Sequence, residues 1–518
     1  MSNYWGAVVG SLGLLLGGCA GLPENTGRLE SYQLADTEDT RLGRVSAAGL
    51  AADVSGFQLL DSGIDAFVAR VALAREAEQS IDAQYYLLHD DMTGHLFLDE
   101  LVKAAERGVR VRLLVDDMGL EGRDESVAAL AALTNFEVRI FNPFGRHLGR
   151  LSQFITRFGS VTRRMHNKLF IVDGQAVVLG GRNIGNEYFE ADPALAFGDL
   201  DVVGFGPIAT DAARSFDAYW NHDLAYPVAR LVDSPLDALA ARRFRHYSSE
   251  YIEQHAHDYA YYFDALRNSW LTQQLNAGSL SLVWGQARLV SDDPDKLVTD
   301  RRQTELHLSR ELEPYFLELE KSLLIFSPYF VPGREGVEFL EALVERGVRV
   351  RVLTNSLAST DVPVVHVGYA RYRRELLRAG VELYEMNRQV RAPAKREGWN
   401  FTGSSKASLH AKSFVLDGEK VFIGSLNMDP RSLVENSEVG VVLEVPEIAQ
   451  EMLEWFEHDI DRVAFRVSLE QGSFGSERLR WDGWSGDQPV VFDVEPYTSV
   501  WQRLGVGLLR VLPIDSQL

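Results

Sequence analysis

The sequence has 518 residues and a single cysteine, Cys19. That excludes any intrachain disulfide and any thiolate zinc cluster. Positive charge is in deficit: 52 Lys and Arg stand against 74 Asp and Glu, a formal net charge of −22. Non-specific binding to DNA or RNA needs clustered cations that release phosphate counterions, so this balance counts against it without excluding a local basic pocket. The composition is not that of a disordered or collagen-like chain either. With 46% hydrophobic and 24% charged residues, there is ample material for a large core. Met1 to Trp5 contain no Lys or Arg.

Trp5 to Leu22 contain no charged side chain. A permanent membrane span needs about 20 apolar residues, and six glycines between Gly6 and Gly21 make this stretch a poor one. A short apolar block, Leu12 to Leu16, closes on small residues in Leu16-Gly17-Gly18-Cys19, the pattern of a secretory signal. Cys19 stands where the sequence resembles the lipobox of bacterial lipoproteins. That resemblance implies cleavage before Cys19, lipid on Cys19, and a mature chain that begins there. Ala20 in place of Asp then implies an outer-membrane protein facing the periplasm, with the inner membrane as the alternative. Leu22 to Leu50 are polar and turn-rich and read as a tether.

One pattern occurs twice. Residues 107–117 read RGVRVRLLVDD and residues 346–356 read RGVRVRVLTNS. Each follows an amphipathic helical pattern, Gly94 to Glu106 and Gly333 to Glu345, and each of these follows a strand-like run, Ile81 to Leu87 and Leu323 to Tyr329. Gly108 and Gly347 read as helix C-caps, and the alternating Val/Arg runs after them as strands. The result is strand, helix, strand, twice, each a parallel crossover unit. Further strand signals follow at Phe136 to Phe141 and Val381 to Tyr384. The spacing implies two duplicated α/β domains rather than a solenoid, with the boundary around Asp223 to Ser279.

The chemistry-bearing residues fall at the same place in both halves. Residues 165–173 read MHNKLFIVD and residues 409–417 read LHAKSFVLD, so both contain H-x-K-x4-D. Seven positions after each Asp a turn begins, Gly180-Gly181-Arg182-Asn183 and Gly424-Ser425-Leu426-Asn427. Residues i and i+2 of a strand share a face, so His166 points with Lys168 and His410 with Lys412. Asp173-Gly174 and Asp417-Gly418 are hairpin signals, and the returning strand brings Asn183 or Asn427 back to the same end. An imidazole attacks an electrophile or shuttles a proton near neutral pH, a lysine fixes positive charge on a phosphoryl oxygen, and an Asn amide adds a donor. Two such sets surround one phosphodiester: one His attacks phosphorus, the other protonates the leaving oxygen, and no metal is needed. Aligning the halves makes Asp199 and Glu438 equivalent. A carboxylate beside Nδ1 fixes a histidine's tautomer, and for His166 the choice stays open between Asp199 and Asp201.

The paired motif resembles the phospholipase D superfamily over nearly the whole chain after residue 55. More narrowly, DAQYYLLHDDMTG (82–94), LGGRNIGNEYF (179–189), residues 353–385 and residues 408–432 resemble bacterial cardiolipin synthases of the C type. The resemblance implies two duplicated α/β/α domains, each a mixed β-sheet flanked by helices, sharing one active site at their interface. The expected divisions are 1–18 signal peptide, 19–50 tether, 51–225 first domain, 226–285 helical connection, 286–465 second domain and 466–518 extension. It implies a phosphohistidine on His166, with His410 as general acid and then base. Lys168, Lys412, Asn183, Asn427 and Ser425 are implied on phosphate. Asp173 and Asp417, though part of the catalytic motifs, are implied to hold their hairpins. Gly181 stands where the second half has Ser425, so one hydroxyl contact is missing. No cofactor and no metal are implied. The implied reaction makes cardiolipin from phosphatidylglycerol and a second phospholipid, phosphatidylethanolamine or phosphatidylglycerol, at a membrane, without nucleic acid; an unidentified protein partner is left open. The alternatives are a phospholipase D-type hydrolase and, remotely, a membrane scaffold.

Other features carry two readings each. The arginines of residues 144–165, among apolar residues and without an acid, read either as a surface for anionic headgroups or as an ordinary solvated helix. Pro496 to Pro513 is too short to span and reads as interfacial or as packed on a domain. Tyr85, Tyr86, Tyr329 and Phe330 line the site or fill the core. His366, Tyr369 and Arg371 receive no role.

Overall fold

The computed structural model describes residues 22–26, 28–47, 53–146, 149–157, 159–192, 196–232, 237–277, 280–389, 407–472 and 476–509. Cys19, the signal segment 1–18, the start of the tether and residues 510–518 lie outside the described residues.

The first half contributes β1 (Ser55–Leu60), β2 (Ser80–Tyr85), β3 (Arg110–Asp116), β4 (Phe136–Phe141), β5 (Leu169–Val172), β6 (Ala176–Gly180), β7 (Ala196–Gly198), β8 (Asp201–Phe205) and β9 (Ala225–Pro227). The second contributes β10 (Val283–Ser291), β11 (Ser322–Phe326), β12 (Arg349–Asn355), β13 (Glu382–Met386), β14 (Ala407–Leu409), β15 (Ser413–Leu416), β16 (Lys420–Gly424) and β17 (Val439–Glu444). It continues with β18 (Ala464–Gln471), β19 (Glu477–Ser485) and β20 (Gln488–Phe492). The repeat is visible in the pairing. The first half runs β1-β8-β6-β5-β2-β3-β4-β9. The second runs β10-β17-β16-β15-β11-β12-β13-β18, extended by β19 and β20. Only β2-β3-β4 and β11-β12-β13 are parallel within these sheets, as two crossover units in each half require.

The crossover helices end where the sequence predicts. Gly108 (φ 98°) and Gly347 (φ 89°) take the left-handed conformation after helices Met92–Glu106 and Gly333–Glu345. Val109 N–H and Val348 N–H then reach back to the carbonyls of Ala104 and Leu343, closing the last turn before the strand begins.

The two halves meet twice. β1 pairs antiparallel with β10, Gly56 opposite Trp284, which joins the halves edge to edge. Their inner faces also share one core, in which Leu114, Leu169 and Ile171 lie with Leu324, Leu353 and Val415, around helices Pro207–Asn221 and Pro446–Val463. Each buried side chain of this kind contributes roughly 1.5–3 kcal/mol, against roughly 0–1 kcal/mol for an exposed ion pair. Apolar burial therefore holds the halves together. The alternation in β5 serves both sides: Leu169 and Ile171 face the shared core, while Phe170 and Val172 face the first half's own outer core.

Two expected divisions shift. Helices Ala238–His255, Ala260–Arg267 and Trp270–Ala277 fill the connection, but β10 already begins at Val283. Residues 466–492 are not a separate extension. They complete β18 and add β19 and β20, because β18 pairs with β13 and needs a partner on its other edge. Beyond them helix Val500–Leu509 carries Trp501, 81% exposed. No helix among the described residues is long and apolar enough to cross a membrane.

Candidate active site

Both motif hairpins are built alike. Asp173 (φ 53°) and Asp417 (φ 55°) turn the chain, and each carboxylate accepts three successive backbone N–H groups. Those of Glu78, Gln79 and Ser80 lead into β2, and those of Glu320, Lys321 and Ser322 lead into β11. These aspartates anchor the hairpins at the ends of β5 and β15 away from the histidines. They belong to the motifs but not to the reacting centre.

The histidines sit just before β5 and β15, where each chain segment crosses to the other half. Met165 bridges Ser437 in parallel, and His166 N–H donates to the Ser437 carbonyl at 2.9 Å. In the pseudosymmetric position β14 pairs in parallel with β7, and His410 N–H donates to the Gly198 carbonyl at 2.7 Å. Each histidine is thereby set beside the carboxylate of the opposite half. His166 Nδ1 lies 2.8 Å from Glu438 Oε2, and His410 Nδ1 lies 2.6 Å from Asp199 Oδ2.

This corrects the expectation that Asp199 or Asp201 orients His166. Asp199 serves His410. Asp201 is committed to a buried ion pair with Arg70 at 2.8 Å and accepts the Arg182 N–H. Asp199 lies before β8, and its carboxylate turns back to accept the Leu200 N–H, so the two acids do not share a strand face.

The two pairs differ in how the carboxylate is held. Ser425 Oγ donates to Glu438 Oε2, and Asp292 accepts the Glu438 N–H while gripping buried Lys296 at 2.9 Å. On the other side Gly181 leaves no room for a side chain, since a Cβ there would stand 2.2 Å from Asp199 Oδ1. A serine with a glutamate and a glycine with an aspartate fill equivalent space. Ser425 was expected on phosphate; its hydroxyl faces Glu438 instead. Asn183 is likewise engaged, accepting Leu87 N–H and donating to the Tyr188 hydroxyl at 2.9 Å. Asn427 donates to Ser432 at 3.5 Å, and its carbonyl oxygen has no partner among the described residues.

Both lysines are buried and converge with the histidines. Lys168 Nζ donates to the His166 carbonyl and Lys412 Nζ to the His410 carbonyl, each at 2.6 Å. Burial lowers the pKa of both, that of Lys168 strongly. An anionic phosphate arriving between them restores the charge that burial opposes. Burial, reinforced by Lys168 and Lys412, holds His166 well below its ordinary value. Burial raises the Glu438 carboxyl to about 7. His410 is lowered by burial and Lys412, with Asp199 pulling the other way. Burial would raise Asp199, but His410 and Lys412 outweigh it and hold it low. The arrangement thus favours a neutral His166, whose Nδ1–H faces Glu438 and leaves Nε2 as a nucleophile. It places His410 against an ionised carboxylate that stabilises the imidazolium.

Aromatic rings frame both. Tyr86 stands edge-on to His166 at 5.0 Å and under Lys168. Phe197 stacks on His410 at 5.0 Å with Tyr188 at its edge. Tyr85 and Phe330 are core residues, and Tyr329 donates to Asp361. Sequence reasoning missed Phe197, Tyr188, Asp292, Lys296 and Arg431. Arg431 opens a π-helical turn and is one of the cations that depress His166. The AFG run before Asp199 and the DD pair after β10 were the available signals.

The basic segment is not a free headgroup surface. Arg146 and Arg150 engage Asp117, Arg164 is buried on Asp116, and Arg163 meets Glu435. His366 is also structural. It lies buried beside Arg373, which pairs with Glu385 and Glu495.

The family described as "Cardiolipin synthase, PLD-like domain" matches residues 71–220 and 317–460. The chain is 40% identical to cardiolipin synthase C of Escherichia coli (strain K12) over 456 residues, 88% of this chain and 94% of that protein. It is 26% identical to a cardiolipin synthase of Staphylococcus aureus (strain Mu50 / ATCC 700699) over 439 residues, 84% of this chain and 72% of that one. Among solved structures, phosphatidylserine synthase of Haemophilus influenzae Rd KW20 superposes with a TM-score of 0.55 at 14% identity, covering 92% of this chain and 100% of that one. This last likeness speaks for the fold.

Proposed function

The chain belongs to the cardiolipin synthase family with phospholipase D-like domains, and from that premise we propose that it is a phosphatidyltransferase that makes cardiolipin through a phosphohistidine. The observation that carries this reading is the pair of His–carboxylate contacts, each closed across the two halves with a buried lysine alongside. His166 Nε2 attacks the phosphorus of a phospholipid. As the N–P bond forms, the P–O bond to the headgroup breaks, and the leaving oxygen takes the proton held by His410. In the second half-reaction His410 takes the proton of an incoming hydroxyl, that oxygen bonds phosphorus, and the N–P bond breaks. Lys168 and Lys412 stabilise the charge on the non-bridging oxygens throughout. This chemistry balances without a metal.

The acceptor is phosphatidylglycerol, and the donor is phosphatidylethanolamine or a second phosphatidylglycerol. Transfer in place of hydrolysis needs a held acceptor and excluded water. His410 is buried and the His166 side chain is only 12% exposed, which supports that. The anchor remains a proposal resting on sequence: Cys19 lipidated, on an outer membrane facing the periplasm. Intact mass of the membrane-extracted protein tests it.

The deciding experiment supplies purified protein with isotope-labelled phosphatidylglycerol in mixed micelles, with and without phosphatidylethanolamine, and reads products by mass spectrometry. Labelled cardiolipin is expected, and its dependence on the second lipid identifies the donor. Phosphatidic acid alone would overturn the transferase reading in favour of a hydrolase.

A further inference from the structure

A second apolar space lies far from the histidines. A cavity of about 1550 Å³ opens between helix Gly63–Glu76, helices Ala260–Arg267 and Trp270–Ala277, and the strands β8 and β10. Phe205, in its wall, ends β8 beside the turn that follows Asp173, where Gly206 N–H meets the Gln175 carbonyl. That is the end of the sheet opposite His166. The volume exceeds the roughly 300–1,000 Å³ of an ordinary small-ligand pocket. Its walls are aliphatic and aromatic, among them Phe67, Val68, Val71, Leu266 and Trp284. An apolar hollow of this size that stays open to solvent marks a binding groove.

The mouth carries the opposite character. Four exposed arginines line it, Arg41, Arg44, Arg75 and Arg267, against two carboxylates. Glu76 and Glu78 answer Arg41, and Glu100 answers Arg75. The guanidinium of Arg44 donates to the Asp39 carbonyl, and that of Arg267 meets Asp264 in an exposed pair, which solvent screens and a phosphate readily replaces. Of the four, Arg44 has a neutral carbonyl and no carboxylate as its side-chain partner among the described residues, so its charge is the one left uncompensated at the mouth.

We propose that this cavity is a non-catalytic lipid site that seats the acyl chains of an anionic two-chain phospholipid, with its phosphate at Arg44 and Arg267. Apolar walls recognise the chains, Arg44 and Arg267 recognise the phosphate, and the volume of about 1550 Å³ has room for two chains. The site would hold a lipid while turnover proceeds at the other end of the sheet.

The test uses the full chain in detergent with phosphatidylglycerol carrying a photoactivatable group near the end of one acyl chain. The same group on phosphatidylcholine and on a free fatty acid gives the comparison arms. After irradiation, label is expected on peptides covering 63–76 and 260–284, equally in wild type and in His166→Ala. Ala72→Trp, which projects a large side chain from a half-buried wall position, should lower that label at least tenfold with melting unchanged. Arg44→Glu with Arg267→Glu should abolish the preference for phosphatidylglycerol over phosphatidylcholine, and this arm stands if Ala72→Trp fails to fold. Label confined to peptides bearing the two histidines, or equal label from the free fatty acid, would overturn the proposal. Labelling reads occupancy and not turnover, so its failure and that of the transferase reading are distinguishable.

Discussion

The crossed pairing assigns each carboxylate to one chemical step, and that can be separated experimentally. Glu438→Gln keeps the size of the side chain but replaces an acceptor facing His166 Nδ1 and Ser425 Oγ with an amide. The imidazole then loses the contact that keeps its proton on Nδ1, and Nε2 is no longer the free nitrogen. A comparable amide substitution beside a catalytic histidine costs about 10⁴ in rate, or about 5.4 kcal/mol at 1.36 kcal/mol per tenfold. Asp199→Asn makes the same change beside His410. With natural phospholipids both variants should be slowed by about 10³–10⁴. They should part with a substrate whose headgroup is an aryl alcohol that departs without a proton. Asp199→Asn should then form the phosphohistidine at close to the wild-type rate and accumulate it, because only the second half-reaction still needs a base. Glu438→Gln should remain slow in forming it. Rapid quench followed by intact mass measures the phosphoenzyme directly. If Asp199→Asn forms it as slowly as Glu438→Gln from the aryl substrate, or if the two behave in the reverse order, the assignment of nucleophile and acid fails.

Three further outcomes follow from the geometry. Gly181→Ser places its Cβ against Asp199 Oδ1, so it should displace that carboxylate from His410 and lower phosphatidyl transfer at least a hundredfold, measured by product mass spectrometry, with little change in melting. Asp173→Ala strips three backbone N–H groups of their acceptor, which should lower stability by about 3 kcal/mol in denaturant titration while the folded fraction keeps its kcat. Burial holds the Asp429 carboxyl at about 6, above its ordinary 3.8. A raised acid favours the folded state only while protonated, so its contribution is full below its unfolded value and is lost as pH rises through about 6. Asp429→Asn removes that loss, and its stability relative to wild type should climb by about 2.4 kcal/mol between pH 4 and pH 7 in parallel melts.

Much of the frame was legible because it is written in local patterns. The helix C-caps at Gly108 and Gly347, the alternating strands after them and the Asp-Gly hairpins each follow from neighbours a few residues apart. The pairing of two H-x-K-x4-D motifs was legible because it repeats. The crossing was not. It rests on Met165 beside Ser437 and on β14 beside β7, contacts between residues some half a chain apart that leave no trace in either local pattern. Aligning the halves found Asp199 and Glu438 as equivalents but gave no information on which histidine each faces. The arginines of residues 146–164 misled for a related reason. Within their own segment they have no acid, but Asp116 and Asp117 wait at the end of β3. Ser425 could be read as a phosphate contact until its hydroxyl was seen to share Glu438 with His166.

The crossed contacts also bear on how such a chemistry is kept silent while the protein is being made. During synthesis the first half, with His166, emerges before residue 438 has been translated. Until then His166 has no acid to fix its tautomer, and until residue 410 is made Asp199 has no imidazole to serve. A ribosome that stalls, or a protease that trims the nascent chain, before residue 410 therefore releases a product with one intact motif but neither completed pair. Both pairs are complete only once residue 438 is in place, so a chain cut short before it cannot begin cutting the lipids around it.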